Sequence, residues 1–300
     1  MTKYSFSRIR IMNLLFFFAL VFILACGGKG CGTSSGDPTV GGASTTEPTV
    51  YIAGSTHNGK VRVATYWKNG KEEVFLSDGT QMAGAYSIFA SGSDVYVAGY
   101  IYKQNRPVAI YWKNGVAMFL NNGSAKTFAN SIFVSGNDVY VAGQVNDENK
   151  EVATYWKNGK AMSLSNGSAK TFANSIFVSG NDVYVAGQVS NENKEVASYW
   201  KNDEIILLSE GTKANSIFVS GKDVYIAGTE SVSKQSSTAK YWKNGKAVLL
   251  SDGTSAESIF ISGNDVYISG AGETGAAYWK NGVPHALGTD VGATSITVAQ

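Results

Sequence analysis

The chain repeats Tyr-Trp-Lys-Asn six times. The copies centre on Trp67, Trp112, Trp156, Trp200, Trp242 and Trp279, which are all its tryptophans, and they stand 37 to 45 residues apart. Self-similarity at that period marks stacked supersecondary units that cannot bury an apolar face alone. A second motif shares the period: Thr49–Gly54 (TVYIAG), then DVYVAG or a near copy at Asp94, Asp138, Asp182, Asp223 and Asp265. A third, Ser-Ile-Phe-x-Ser-Gly, opens at Ser87, Ser131, Ser175, Ser216 and Ser258. A looser apolar run, such as Lys160–Leu164 or Lys246–Leu250, follows each tryptophan.

Each unit therefore predicts four short strands, A (SIFVSG), B (DVYVAG), C (VATYWK) and D (KAMSL). With 34 Gly, the β-branched and aromatic runs are bounded by turn signals throughout. Asn-Gly after Trp-Lys is a type I′ hairpin signal, because both central residues need φ > 0. Ser-Gly-Asn-Asp (135–138) supplies the A–B turn, and the B–C connections vary most. A four-stranded meander repeated about every 44 residues matches a propeller blade. The phase closes it: the first copy begins at B with Val50–Gly54, and the chain ends in Ala293–Gln300 (ATSITVAQ), a lone strand A. The expectation is an all-β, six-bladed β-propeller over residues 49–300, one blade being stitched from both termini and leaving no unpaired seam.

Residues 122–158 and 166–202 differ at three places, Asn146/Ser190, Asp147/Asn191 and Thr154/Ser198. The repeat region resembles uncharacterised bacterial exported proteins built from YWKNG-type propeller repeats. The likeness covers about five-sixths of the chain and implies an architecture but no substrate.

Ahead of the repeats lies an export signal, residues 1–25. Lys3, Arg8 and Arg10 precede the apolar run Ile11–Ala25. Its fifteen residues span about 22 Å as helix, short of a ~30 Å hydrocarbon layer, so it reads as cleaved. Ile23–Cys26 (ILAC) resembles the lipobox of bacterial lipoproteins, and the resemblance implies lipidation at Cys26, which becomes the N-terminus. Cys31 is the other cysteine; no metal site is expected of two cysteines five apart. Residues 26–48 are rich in Gly, Ser and Thr and read as a flexible tether. Without residues 1–25 the chain has 22 basic and 23 acidic residues, which provides no electrostatic motive for nucleic-acid binding. The expected setting is a cell-envelope membrane reached through the lipid anchor, with a monomeric propeller and no cofactor.

The tryptophans lie in strand C, away from the axis, and are expected to wedge between blades rather than form a ligand cage. The Asp residues before strand B, one per blade, are expected to cap their turns. The better functional candidates lie where the repeats differ: Tyr86, Asn130, Asn174, Asn215, Glu257 and Thr294, each preceded by alanine and placed at the start of strand A. On the face shared by the D–A and B–C loops they would rim the funnel mouth and meet a glycan or a peptide. The B–C loops add Tyr100, Tyr102, Lys103, Arg106, Asp147, Glu148, Glu192, Glu230 and Glu273. Only His57 and His285 are available as histidines, so a three-histidine metal site is excluded. No phosphate loop or dinucleotide fingerprint occurs. Glu257 with Glu210, or Glu257 with Glu273, could supply the carboxylate pair of a glycoside hydrolase. The expected role is a protein- or glycan-binding scaffold, the alternative a glycan-active hydrolase or lyase at the funnel mouth.

Overall fold

The structure, a computed structural model, describes residues 49–121, 123–147, 150–165, 169–191, 194–233, 235–289 and 292–298. The expected export signal, Cys26 as the expected lipidation site, the expected tether, Glu148 and Glu192 lie outside them. The described residues form 23 strands and no helix. Blade one holds β1 (Tyr51–His57), β2 (Arg62–Lys68) and β3 (Glu72–Phe75). Blade two holds β4 (Ala83–Ser91), β5 (Asp94–Lys103), β6 (Arg106–Lys113) and β7 (Val116–Phe119). Blade three runs from β8 (Lys126–Ser135) through β9 (Asp138–Asp147) and β10 (Lys150–Lys157) to β11 (Lys160–Ser163). Blade four is β12 (Lys170–Ser179), β13 (Asp182–Asn191), β14 (Lys194–Lys201) and β15 (Glu204–Leu207). Blade five is β16 (Lys213–Ser220), β17 (Asp223–Ser231), β18 (Ser237–Lys243) and β19 (Lys246–Leu249). Blade six is β20 (Gly253–Ser262), β21 (Asp265–Gly272), β22 (Gly275–Lys280) and β23 (Val283–Gly288). Every blade is an antiparallel meander, so the chain is an all-β six-bladed propeller.

The tryptophans hold neighbouring blades together. Trp156 is 1 % exposed and packs against Phe89, Tyr96 and Tyr111 of blade two as well as Ile132 and Val141 of its own. Trp112 occupies the same place in the preceding interface, and Trp200, Trp242 and Trp279 in the three that follow. Burial of so large a ring against a flat sheet face is a main source of inter-blade stability, since an aromatic side chain removes roughly 150–250 Å² from water.

Hydrogen bonds repeat the same logic near the axis. The N–H of Ile132 donates to Ser87 Oγ of the preceding blade at 3.1 Å, and Ile176, Ile217 and Ile259 do the same to Ser131, Ser175 and Ser216. Phe89, Phe133, Phe177, Phe218 and Phe260 form a belt with ring centroids 4.8–5.2 Å apart. Ser-Ile-Phe thus encodes a strut, a core residue and an axial belt residue in consecutive positions.

Closure differs from the expectation. Blade one is a three-stranded sheet, and residues 292–298 carry no strand ladder. They nonetheless take the inner position: Ile296 N–H donates to Ser258 Oγ at 3.4 Å, continuing the serine struts from blade six. Elsewhere strand A is locked in register by a tight turn into strand B, as in Ser135 opposite Asp138. The C-terminal segment has no such turn into β1, and register without a turn is weakly specified. A seam therefore remains where the chain pattern had suggested none. Trp67 is half-buried there, and Ile52 of β1 is 37 % exposed.

Candidate functional site

Each inner strand of blades two to six is broken by a β-bulge whose extra residue is the variable one, and that of blade six has a second irregularity, between Gly253 and Ser255. The pairing with strand B shifts between Ala85 and Ser87, Ala129 and Ser131, Ala173 and Ser175, Ala214 and Ser216, and Ala256 and Ser258. Tyr86, Asn130, Asn174, Asn215 and Glu257 are the residues skipped. A bulge leaves one residue outside the ladder and re-aims its side chain, here toward the axis. The glycine of strand B makes room for it: a Cβ on Gly143 would run into the carbonyl oxygen of Phe128, and one on Gly187 into that of Phe172. Each Ala-x-Ser tripeptide stands opposite a strand-B glycine that follows Ala in blades two to five and Ser269 in blade six, and spacing alone does not reveal the bulge.

All six candidates, Thr294 of the C-terminal segment among them, line one axial cavity together with the serines that follow the other five. The cavity is ≈ 20 Å³, room for roughly one water molecule. Three of the ring's amides already have partners. Asn130 Nδ2 donates to the carbonyl of Ala173 at 2.8 Å, Asn174 Nδ2 to that of Ala214 at 2.9 Å, and Asn215 Nδ2 to that of Ala256 at 2.9 Å. Each asparagine therefore reaches across to the bulge of the next blade. Asn174 Nδ2 also donates to Gln188 Oε1 at 3.2 Å, and Asn215 Nδ2 to Glu257 Oε2 at 3.4 Å.

Glu257 and Tyr86 break the asparagine series. Loss of solvent raises the Glu257 carboxyl above its ordinary value, against the smaller lowering influences of a hydrogen bond with Ser255 and the charge of Lys213. Burial likewise drives the Tyr86 phenol strongly upward, with Tyr100 adding to the effect. Tyr86 and Tyr100 pack at 5.3 Å between centroids, and Tyr100 meets Tyr102 and Phe128 edge-on. The aromatic cluster and the Glu257 carboxyl thus flank Thr294 at the mouth.

The remaining candidates scatter. Glu210 and Glu230 both pair with Lys240 Nζ, at 3.0 and 2.7 Å, and Lys240 is only 7 % exposed. Lys240 was not singled out from the sequence; its signal is a lysine where the other copies carry Thr, Ile, Ser or Ala. Glu273 lines a separate groove of ≈ 380 Å³ with Asp252, Gln235 and several hydroxyls, between blades five and six. Glu257, Glu210 and Glu273 therefore stand in three different places, and the carboxylate pairings considered from sequence do not share a cavity. Lys103 Nζ sits 3.4 Å over the Phe119 ring, and Arg106 Nη1 donates to the carbonyl of Ser124 at 3.1 Å. Lys150 and Lys194 are exposed on the loop face. His57 Nδ1 accepts from Gly59 N–H at 3.1 Å, and His285 stacks on Tyr278 at 4.5 Å. Among the described residues no three His, Cys, Asp or Glu side chains converge as a metal site.

On the opposite face the aspartates do more than cap their own turns. Asp138 Oδ2 pairs with Lys157 Nζ at 2.8 Å, and Asn158 Nδ2 donates to Asp138 Oδ1 at 2.7 Å. The same clamp joins Asp94, Asp182, Asp223 and Asp265 to their Lys-Asn partners. The antiparallel pairing of B with C brings both turns to one edge, so Lys-Asn of one motif meets Asp of the other.

No protein-family model matches the chain, and no curated relative does. Solved structures do. TolB from Acinetobacter baumannii aligns at 12 % identity and a TM-score of 0.45, over 79 % of this chain and 64 % of that one. Trypanosoma rangeli sialidase in complex with the inhibitor DANA aligns at 8 % identity and 0.44, over 79 % and 52 %. The GH43 endo-arabinanase of Bacillus licheniformis aligns at 10 % identity and 0.36, over 67 % and 96 %.

Proposed function

We propose that this propeller is a recognition and scaffolding module of the bacterial cell envelope, held at a membrane through lipid on Cys26, and that its loop face docks a protein partner. The observation that carries the reading is the size and bonding of the axial ring. Six divergent side chains meet there, yet the cavity is ≈ 20 Å³ and three amides are committed to neighbouring carbonyls. Sites that engulf small molecules enclose about 300–1,000 Å³. Such a ring meets a ligand at its rim, as part of a broad rigid face, which suits a protein surface better than an enclosed sugar. Blade-to-blade struts keep that face preorganised, so little ordering is needed on binding.

The test is cross-linking of the lipidated protein in intact source cells, followed by mass spectrometry. A recurrent partner joined to Lys103, Lys150 or Lys194 is expected. Good self-recovery without any partner turns the assignment toward glycans.

A glycan-active second reading draws on the groove that holds Asp252 and Glu273, whose ≈ 380 Å³ falls within the small-molecule range. It requires that purified protein depolymerise a polysaccharide and lose that activity in Glu273→Gln; loss in Glu257→Gln instead would return the chemistry to the axial mouth.

A further inference from the structure

The five complete inner strands define what the sixth position is built to hold. Each supplies a serine hydroxyl that accepts the next blade's isoleucine N–H, an isoleucine in the inter-blade core, and a phenylalanine in the axial belt. The resident of the sixth position, residues 293–298, meets this specification poorly. Ile296 makes the strut to Ser258, at 3.4 Å the longest of the series. The hydroxyls of Ser295 and Thr297 are buried without hydrogen-bond partners. Thr297 stands where the belt takes phenylalanine, between Phe260 and Phe89 in ring order. No ladder joins the segment to β1, and none of the five hydrophobic clusters among the described residues spans blades six and one.

We propose that the inner position of blade one is a docking site for an extended segment of a partner protein carrying the Ser-Ile-Phe-x-Ser pattern, with residues 293–298 as its displaceable resident. The incoming strand would use the free inner edge of β1 for main-chain hydrogen bonds, as in strand addition generally. Its phenylalanine would complete the belt and its serine would offer the strut that Ser295 does not make. The occupant's chemistry follows from five copies of the same interface within this chain.

The probe is a fluorescent peptide of the chain's own inner-strand sequence, Asn-Ser-Ile-Phe-Val-Ser-Gly (residues 130–136), titrated against the full chain by fluorescence anisotropy. Saturable one-to-one binding is expected. Replacing the peptide's phenylalanine by threonine should weaken it about tenfold, the order of one aromatic burial. Thr297→Phe in the protein should weaken binding of the original peptide by a similar factor, because the resident then fits. No saturable binding, equal binding of the threonine peptide, or binding unaffected by Thr297→Phe overturns the proposal. A concentration-dependent dimer that competes with the peptide also overturns it, by making a second copy the occupant. Where Thr297→Phe does not fold, the two peptides on the unaltered chain decide.

Discussion

Asn158 and Val139 bind one another twice: the Asn158 N–H donates to the Val139 carbonyl at 2.9 Å, and the Val139 N–H donates to Asn158 Oδ1 at 2.9 Å. The pair joins the turn after one motif to the start of another, nineteen residues back, and recurs as Asn69–Val50, Asn114–Val95, Asn202–Val183, Asn244–Val224 and Asn281–Val266. Asparagine also takes the left-handed conformation there, φ 51° at Asn158. The Lys-Asn half of the repeated motif is thus explained by one edge of the blade and the Tyr-Trp half by the interface.

Asn158→Ala should destabilise the protein by about 1–3 kcal/mol, because it leaves the Val139 N–H unpaired and strains a positive φ. Asn158→Gly keeps the turn and loses only the side-chain bonds, so its cost should be smaller. Urea midpoints of the two variants decide this, with the reverse order counting against it.

Trp156→Ala should cost about 3–5 kcal/mol, the range for deleting a buried aromatic ring. Trp67→Ala should cost less, since Trp67 lies half-buried at the seam. Equal losses in thermal unfolding would mean that the seam is packed like the other interfaces.

Gly143→Ala should destabilise strongly even though alanine suits a strand, because its Cβ would collide with the backbone carbonyl of Phe128 at the bulge. Gly159→Ala sits in open space at φ 82° and tests backbone strain alone. Circular dichroism melts separate steric collision from strain, and matched losses would argue against the bulge.

Two opposite pH dependences are expected. The Glu257 carboxyl titrates high because burial disfavours its charge, so the folded chain keeps that proton to higher pH than the unfolded one. Stability then falls as pH rises from the ordinary carboxyl range through the raised value. Glu257→Gln should therefore be stabilising at pH 7, with the gain vanishing in acid. Asp138 behaves the other way: the hydrogen bonds from Lys157 and Asn158 hold its carboxyl below the usual range. Its contribution is present above that range and is lost as pH falls through the lowered value, and salt should reduce it because the pair is exposed. Melting temperature against pH for Glu257→Gln and Asp138→Asn reads both signs.

Much of the candidate site was legible because the repeat itself supplies the comparison. Where five copies agree, a residue builds the blade; Asn130, Asn174 and Asn215 against Tyr86, Glu257 and Thr294 is where they diverge, and those six do converge on the axis. Their bulged backbone and the commitment of the asparagine amides to the next blade were not legible, since both depend on how close neighbouring inner strands approach. Lys240 with Glu210 and Glu230 was missed for the same reason: thirty residues of chain separate Lys240 from Glu210, and only blade packing brings them together.

By itself the sequence determined the number of blades, the four strands of blades two to six, the Asn-Gly turns and the burial of tryptophan, because these follow from local periodicity, turn chemistry and the apolar area of one side chain. Tertiary structure alone decided the width of the axial cavity, the partners of Glu257 and the state of the seam. Those depend on distances between segments forty or more residues apart, and at the seam on whether two chain ends pair without a turn to set their register.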